Sequence, residues 1–302
     1  MTFNAAALDW LARSIGAAPQ HLNITPMKGS TSSSVFLIKS AHRSEIQRFV
    51  LRVLDNRQWL SEEPDLAAHE AAALNEADRA NLHAPSLVAY SSDDVGFGVP
   101  VVLMTFIEGQ SDLRPTNFSN WINALANELA AIHQHTALDF GWQYRSWVDQ
   151  AALAKVSGAN IPEIWEQAID LWRRSKPIIQ PVFIHRDYHP LNVLWQNNRI
   201  SGVVDWINAC RGPAGVDVAH CRTNLALMFG VPAADQFLAA YCQISRSFEY
   251  NPYWDVDSIF DTCIPQPTFY SPWQMFGLDR LSPEALQRRV EAYLKSVMTR
   301  IE

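Results

Sequence analysis

The chain has 302 residues, which at the usual ~100–200 residues per domain predicts two domains or lobes. With 24 basic against 31 acidic residues the formal net charge is −7, so bulk electrostatics argue against nucleic acid and against an anionic membrane as partners. An apolar fraction of 48%, with 11% aromatic and 18% charged residues, excludes global disorder. No apolar run approaches the ~20 residues needed to cross a bilayer, and the start carries no basic stretch leading into an apolar one, so a cytoplasmic protein is expected.

Residues 3–15 place Phe3, Ala7, Leu8, Leu11 and Ile15 at helical spacing and predict an opening amphipathic helix. Short β-prone runs follow at Ile24–Lys28, Val35–Lys39 and Phe49–Leu54, the texture of an antiparallel meander. Asp65–Asn81, rich in Ala, Leu and Glu and preceded by Pro64, predicts a helix. A further apolar run, Val99–Ile107, closes on Glu108-Gly109, after which the pattern is mainly helical, with Trp121, Ile122, Leu125, Leu129 and Ile132 on one stripe. The fold class expected is therefore α+β, with a small sheet-plus-helix lobe over 1–108 and a larger, mainly helical lobe over 109–302. Cys210, Cys221, Cys242 and Cys263 lie far apart with no CxxC, which argues against a zinc site or a disulfide framework and for small buried hydrophobes.

The informative stretch runs from Phe183 to Trp195, followed by Gly202-Val203-Val204-Asp205-Trp206. Asn192 precedes one β-prone run and Asp205 ends another, with the turn-like Gln196-Asn197-Asn198-Arg199 between them. On a hairpin these two residues fall at the open end within about one pleat of each other, where an amide oxygen and a carboxylate could share one hard cation such as Mg2+. Asp187, just upstream, is then placed to accept a hydroxyl proton while the attacking oxygen is held in line with phosphorus. That is phosphoryl-transfer chemistry.

His185-x-Asp187-x4-Asn192 followed by Asp205 resembles the catalytic and metal-binding loops of the aminoglycoside phosphotransferase family, relatives of choline and homoserine-type kinases within the protein-kinase-like fold. His189-Pro190 inside the loop, Asp205-Trp206, and Gly212-Pro213-x3-Asp217-Val218-Ala219 downstream fit the same family, and the similarity spans roughly residues 24–260. The resemblance implies a two-lobe kinase-like fold, Asp187 as catalytic base, Asn192 and Asp205 as Mg2+ ligands, and His185 and Asp217 as supports of the catalytic loop. Asp217 reads as well as the N-terminal cap of a helix over Val218–Met228, and Arg186 reads either as a surface residue or as a phosphate partner.

The first lobe can be held against the same idea. On Phe49–Leu54, Arg52 shares its strand face with Val50 and Leu54, a cation among apolar neighbours. Glu70 lies on the helical stripe of Leu66, Ala73, Leu74 and Ala77 and points inward, so each needs a partner, and a pair between them matches the cation–glutamate pair that positions nucleotide phosphates in kinase-like folds. Against this, Arg52 would snorkel from an edge strand and Glu70 would hydrate at a rim. Arg stands where Lys is more common, yet it pairs bidentately with carboxylate or phosphate. Lys28-Gly29-Ser30-Thr31-Ser32-Ser33-Ser34 occupies the place of a glycine-rich loop with one glycine, so Gly29, Ser30 and Ser32 are the phosphate-cradle candidates, and an ordinary hairpin turn is the alternative. Met104, Thr105 and Ile107 would form the hinge that receives the nucleotide base, or simply a buried strand end.

For the acceptor, His189 and the aromatic and acidic run Tyr253, Trp254, Asp255 and Asp257, with Asp261 beyond, suit an amine or a hydroxylated cation. A structural reading stands against it, since Asn251-Pro252 is a good helix start and Asp255 suits a first turn. Trp273 and the Pro-rich 265–272 would be a lid or a loop. The function expected is transfer of the γ-phosphoryl of ATP or GTP to a small-molecule hydroxyl, with Mg2+. An aminoglycoside, a choline-like alcohol, a sugar, an amino alcohol or a macrolide fits as acceptor, and no oligomeric state is implied. Two other readings compete: a kinase-like binding module without catalysis, and a metal-dependent hydrolase using His185, Asp187 and His189, with His220 and Asp217 completing a second metal position. Pro190 and the hairpin argue against the hydrolase.

Overall fold

The computed structural model describes residues 3–27, 32–42, 45–153, 161–174, 176–178 and 180–301. The chain divides into two compact units, one formed by Met1–Gly109 with Ser201–Asn208 and the other by Gln110–Ile200 with Ala209–Glu302.

The first unit opens with helix α1 (Ala5–Ser14), whose N-cap Asn4 accepts a hydrogen bond from the Ala7 backbone N–H at 2.9 Å. Strands β1 (Leu22–Pro26), β2 (Ser34–His42) and β3 (Glu45–Val53) follow, then helices α2 (Arg57–Glu62) and α3 (Leu66–Arg79), then strands β4 (Leu87–Ser91) and β5 (Val101–Thr105). The strands form one antiparallel sheet in the order β1-β2-β3-β5-β4. Alternation along β3 sends Leu51 and Val53 into a core with Leu11, Phe36, Ile38, Val101 and Leu103, and leaves Arg52, paired in register with Val102, on the opposite face. Helix α3 packs on β4 and β5, and its buried stripe includes Leu66, Glu70, Ala73, Leu74 and Ala77.

The second unit contains α4 (Phe118–His133), α5 (Gln150–Leu153), α6 (Pro162–Arg174), β6 (Val182–Ile184), β7 (Val193–Gln196), β8 (Arg199–Val203), β9 (Cys210–Gly212), α7 (Ala214–Phe229), α8 (Val231–Ile244), α9 (Pro252–Cys263), α10 (Pro272–Met275) and α11 (Pro283–Met298). The last residues of β8 belong to the first unit. The chain turns between β7 and β8 at Asn197 and Asn198, whose φ values of 52° and 60° suit a type I′ hairpin turn. Strand β6 pairs with β9, Ile184 opposite Cys210. Helix α7 is buried on nearly every side, against α8, α9 and α11, and a methyl at Gly215 would overlap the Trp254 indole of α9, so glycine permits the close approach. Helix α9 starts as the sequence predicts, with Asn251 as cap and Pro252 at its first position. Residues 265–271 carry no helix or strand, and Trp273 in the short α10 is buried. All four cysteines are free. Among the described residues no helix is long and apolar enough to cross a membrane.

Candidate active site

In the second unit the chain leaves β6 at Ile184 and enters a loop fixed from below by α7. The Asp217 carboxylate accepts the backbone N–H of His185 and of Arg186, each at 2.7 Å, and lies 3.2 Å from His133 Nε2. His133 Nδ1 in turn meets the Tyr241 hydroxyl at 2.6 Å. Burial disfavours the Asp217 charge, but His133, His185 and the His185 backbone N–H outweigh it and hold the carboxyl below its ordinary value. The helix begins at Ala214 with Pro213 as its N-cap residue, so Asp217 lies inside the first turn and is not the cap. Its oxygens are spent on the loop, which explains why a fully buried acid sits there.

This anchoring sets the positions that follow. Arg186 takes a left-handed φ of 72°, which swings the chain so that Asp187 and Arg186 project differently. The Asp187 N–H donates to His185 Nδ1 at 3.3 Å. One Asp187 oxygen, Oδ1, faces His220 Nε2 at 3.0 Å and His189 Nε2 at 3.7 Å, and Oδ2 accepts from the Asn192 amide at 3.2 Å. The same Asn192 amide donates to the Asp187 carbonyl at 2.9 Å, which closes the loop on itself and turns the amide oxygen of Asn192 away from Asp187. The Asp187 side chain keeps 29% exposure. Burial raises its pKa, yet His189, His220 and His185 together outweigh burial and hold it well below the usual carboxylate range.

Of the three residues in the hydrolase reading, His185 does not join the others. It is fully buried, accepts from the Asp187 backbone and sits under the loop, and Asp217 is consumed by the loop anchor. The group whose ligand atoms converge is Asp187, His189 and His220. His189 Nδ1 accepts from the Leu191 N–H at 3.3 Å, which leaves its Nε2 as the N–H end and turns that ring into a donor toward Asp187.

In the first unit, Arg52, Glu70 and Asp205 come together. Arg52 Nη1 lies 2.7 Å from Asp205 Oδ1, and Arg52 Nε lies 3.4 Å from Glu70 Oε1. Arg52 and Glu70 are buried, so neither the snorkelling arginine nor the hydrated glutamate is seen. Burial pushes Glu70 up from 4.5 to about 7, partly offset by Arg52 and reinforced by Asp205. Asp205 has a left-handed φ of 69° and leads into a single turn at Trp206–Asn208, where the Trp206 indole N–H donates to the Val203 carbonyl at 2.8 Å. At the end of β5, Met104 pairs with Val50, and the Thr105 and Phe106 N–H groups donate to the Ser86 and Arg48 carbonyls. The Ile107 N–H meets no acceptor among the described residues. Gly29 and Ser30 lie outside the described residues, and Ser32 sits just before β2, where Asp55 holds the backbone N–H and hydroxyl of Ser34.

The acceptor candidates divide. His189 stays beside Asp187. Asp255 is taken out of the set: it is 1% exposed and bound by Arg222, Tyr250 and Tyr293, with Arg222 itself fully buried. Asp257 is likewise spent, accepting from the Tyr144 hydroxyl at 2.7 Å, the Trp172 indole at 2.7 Å and the Ser146 hydroxyl at 2.9 Å. Tyr253 and Trp254 pack with Ile184, Cys210 and Val216 in a buried cluster. A first-turn acid with aromatic neighbours is the signal for both a ligand site and a buried ion pair, and here the buried ion pair is formed. His133 and Tyr241 were missed because their partners are 84 and 108 residues away in sequence, whereas His220, weighed with Asp217 as a second metal position, faces Asp187 instead. The histidine ending α4 beneath an apolar stripe was the available hint.

A model of the phosphotransferase enzyme family matches residues 23–255. The homoserine kinase of Chelativorans sp. (strain BNC1) is 30% identical over 136 residues, 41% of this chain, and the chain spans about two fifths of the length of this curated relative, 41%. Two solved structures share the fold. Macrolide 2'-phosphotransferase MphH from Brachybacterium faecium is 18% identical with a TM-score of 0.60, over 85% of this chain and 88% of that one. A thermostable mutant of aminoglycoside phosphotransferase APH(4)-Ia, in ternary complex with ADP and hygromycin B, is 17% identical with a TM-score of 0.60, over 97% and 99%. The antiparallel-sheet unit and the helical unit are thus those of a protein-kinase-like fold, and the family model covers well over half of the sequence, so the chain belongs to the phosphotransferase enzyme family.

Proposed function

We propose that the chain transfers the γ-phosphoryl group of ATP, or of GTP, to a hydroxyl of a small molecule. The acceptor oxygen forms a bond to the γ-phosphorus as the bond from that phosphorus to the bridging oxygen of the departing nucleoside diphosphate breaks, and the hydroxyl proton passes to Asp187. The observation that carries this reading is the Asp187 carboxylate, braced by Asn192 and His220 on a loop pinned by Asp217, yet still partly exposed. A carboxylate held ionised is a weak base, which suits a loose transition state in which the proton leaves the hydroxyl late and orientation matters more than basicity.

Each of the two expected ligands offers a hard oxygen, an amide oxygen turned away from Asp187 at Asn192 and a part-exposed carboxylate at Asp205. As the family resemblance implies, Asn192 and Asp205 would hold Mg2+, which when bound would neutralise phosphate charge. Arg52, kept in place by Glu70, would receive nucleotide phosphate oxygens, with Gly29, Ser30 and Ser32 as the further candidates from the sequence, and the Ile107 N–H beside Met104 and Thr105 would receive the base. In this reading residues 1–108 are the nucleotide-binding lobe and 109–302 carry the catalytic loop and the acceptor site.

An ADP-release screen over small alcohols, amino alcohols, homoserine and aminoglycosides, with Mg2+ and either nucleotide, tests the proposal. Asp187→Asn is expected to lower transfer by roughly 10²–10⁴-fold while calorimetry still detects Mg·AMP-PNP binding. Undiminished turnover in that variant would remove Asp187 from the reaction.

A further inference from the structure

In the second unit, helix α7 starts at the wall of a cavity of about 890 Å³, a size suited to a small molecule. Its lining includes His133 and Tyr241 but none of Asp187, His189 and Asn192. Ala214 and Gly215, the first two residues of α7, line it, and their backbone N–H groups meet no acceptor among the described residues. The Trp254 indole lines the same cavity. A methyl at Gly215 would lie 3.0 Å from Trp254 Nε1, so the indole N–H and the helix start stand side by side. Trp254 is 4% exposed, and its N–H also meets no acceptor among the described residues. Donors withdrawn from bulk water without a partner cost free energy, which an acceptor brought in by a ligand would recover.

Three unmatched N–H groups at the positive end of a 16-residue helix select an oxygen acceptor and favour one that carries negative charge. Asp217 in the same turn does not fill that role, because its oxygens go to the His185 and Arg186 N–H groups and to His133. Arg246 and Glu249 in the lining are both exposed and of opposite sign, so the helix start decides the preference. Much of the remaining wall is apolar. At its edge Ile178 is 102% exposed and Ile244 38%, aliphatic side chains left to water beside Phe248. We propose that this cavity binds an amphiphilic carboxylate, with the carboxylate on the N–H groups of Ala214, Gly215 and Trp254 and the apolar body against Phe248, Ile244 and Ile178. His133 and Tyr241 in its wall are the relay behind Asp217, so the ligand sits against the support of the loop that carries Asp187. The site is additional to phosphoryl transfer and does not rest on that reading.

Calorimetry and thermal unfolding with octanoate and 2-naphthoate, beside octylamine and 2-naphthylmethylamine, test the proposal on the full chain. At least one carboxylate is expected to bind once per chain with a Kd on the order of 100 μM or tighter, to raise the unfolding temperature and to exceed its amine by roughly tenfold or more. Binding of octanoate alone supports the site with an acyl chain as the body, and binding of 2-naphthoate alone supports it with an aromatic one. Trp254→Phe keeps a ring and removes the N–H, and should weaken the carboxylate about tenfold. Arg246→Glu, at an exposed position, should weaken it about threefold or more and keeps the test open if residue 254 tolerates no change. Saturating Mg·AMP-PNP should leave the carboxylate affinity within about twofold. No binding of either carboxylate, equal binding of the amines or displacement by Mg·AMP-PNP overturns the proposal. So does an unmoved affinity in Trp254→Phe, or in Arg246→Glu where the former does not fold. None of these readouts depends on turnover, so the phosphotransferase reading stands or falls separately on the ADP-release screen.

Discussion

Glu70 in the first unit and Asp217 in the second are both fully buried carboxylates, and the two are treated in opposite ways. Asp217 in the second unit accepts two backbone N–H groups and faces His133, and its pKa is held down. Glu70 in the first unit has no hydrogen bond to either oxygen from a described residue, with Arg52 Nε at 3.4 Å, and burial pushes it to about 7. Residue type and burial are nearly the same, so hydrogen bonding decides whether a buried acid becomes a fixed strut or a titratable group. The loop that carries Asp187 is pre-organised by the first arrangement, and the second leaves Glu70 titratable beside Arg52.

The harshest way to break this contrast is Asp217→Asn. The amide would set an NH2 against a backbone N–H and cost about 3–5 kcal/mol in urea unfolding at pH 7, as for a broken buried pair. Because the folded pKa lies below the unfolded one, the stabilisation from the Asp217 charge is fully present above the unfolded value and is lost as pH falls through the depressed folded value. The gap between wild type and variant should therefore narrow in acid. An equal gap at pH 3 and pH 7 would show that charge has no part in the anchor.

Glu70→Gln sharpens the other side. A folded pKa raised from 4.5 to about 7 means that the Glu70 contribution is fully present below the unfolded value and is lost as pH rises through about 7. Without nucleotide, wild type should lose on the order of 2 kcal/mol relative to the Gln variant between pH 5 and pH 8. A pH-independent difference in unfolding free energy would mean that Arg52 keeps Glu70 ionised throughout, and the two acids would then be alike.

What the sequence discloses follows the range of the interactions. The loop from His185 to Asn192 is contiguous, so its residue types and spacing are readable directly, as is the Asn197-Asn198 turn. Helix α3, expected over Asp65–Asn81, is formed over Leu66–Arg79 because its composition favours helix throughout. Strands β2 and β3 run beyond the expected Val35–Lys39 and Phe49–Leu54, to Ser34–His42 and Glu45–Val53, since cross-strand pairing extends them past the residues whose propensity signals a strand. Strand β4 and helix α2 went unseen for the same reason: short elements depend on neighbours. Asp255 shows the limit at the site. Its spacing on α9 suits an acceptor contact, and only the placement of Arg222, 33 residues earlier, and Tyr293, 38 residues later, makes it a structural ion-pair partner.

The smallest expected effect lies at the far end of the Asp217 anchor. In neutral His133, donation from Nε2 to Asp217 leaves Nδ1 to accept, and the Tyr241 hydroxyl at 2.6 Å is the donor that fixes this tautomer. Tyr241→Phe removes that donor and leaves a buried ring nitrogen unmatched, at a cost of about 1 kcal/mol in unfolding free energy. Transfer should fall no more than about twofold, because Asp217 keeps both backbone bonds that position the loop and loses only the support behind His133. The relation between the two readouts carries the argument: a stability loss with kcat retained makes Tyr241 a buttress, whereas a fall in kcat as deep as that of Asp217→Asn would mean that the loop is held through His133 rather than by the carboxylate itself.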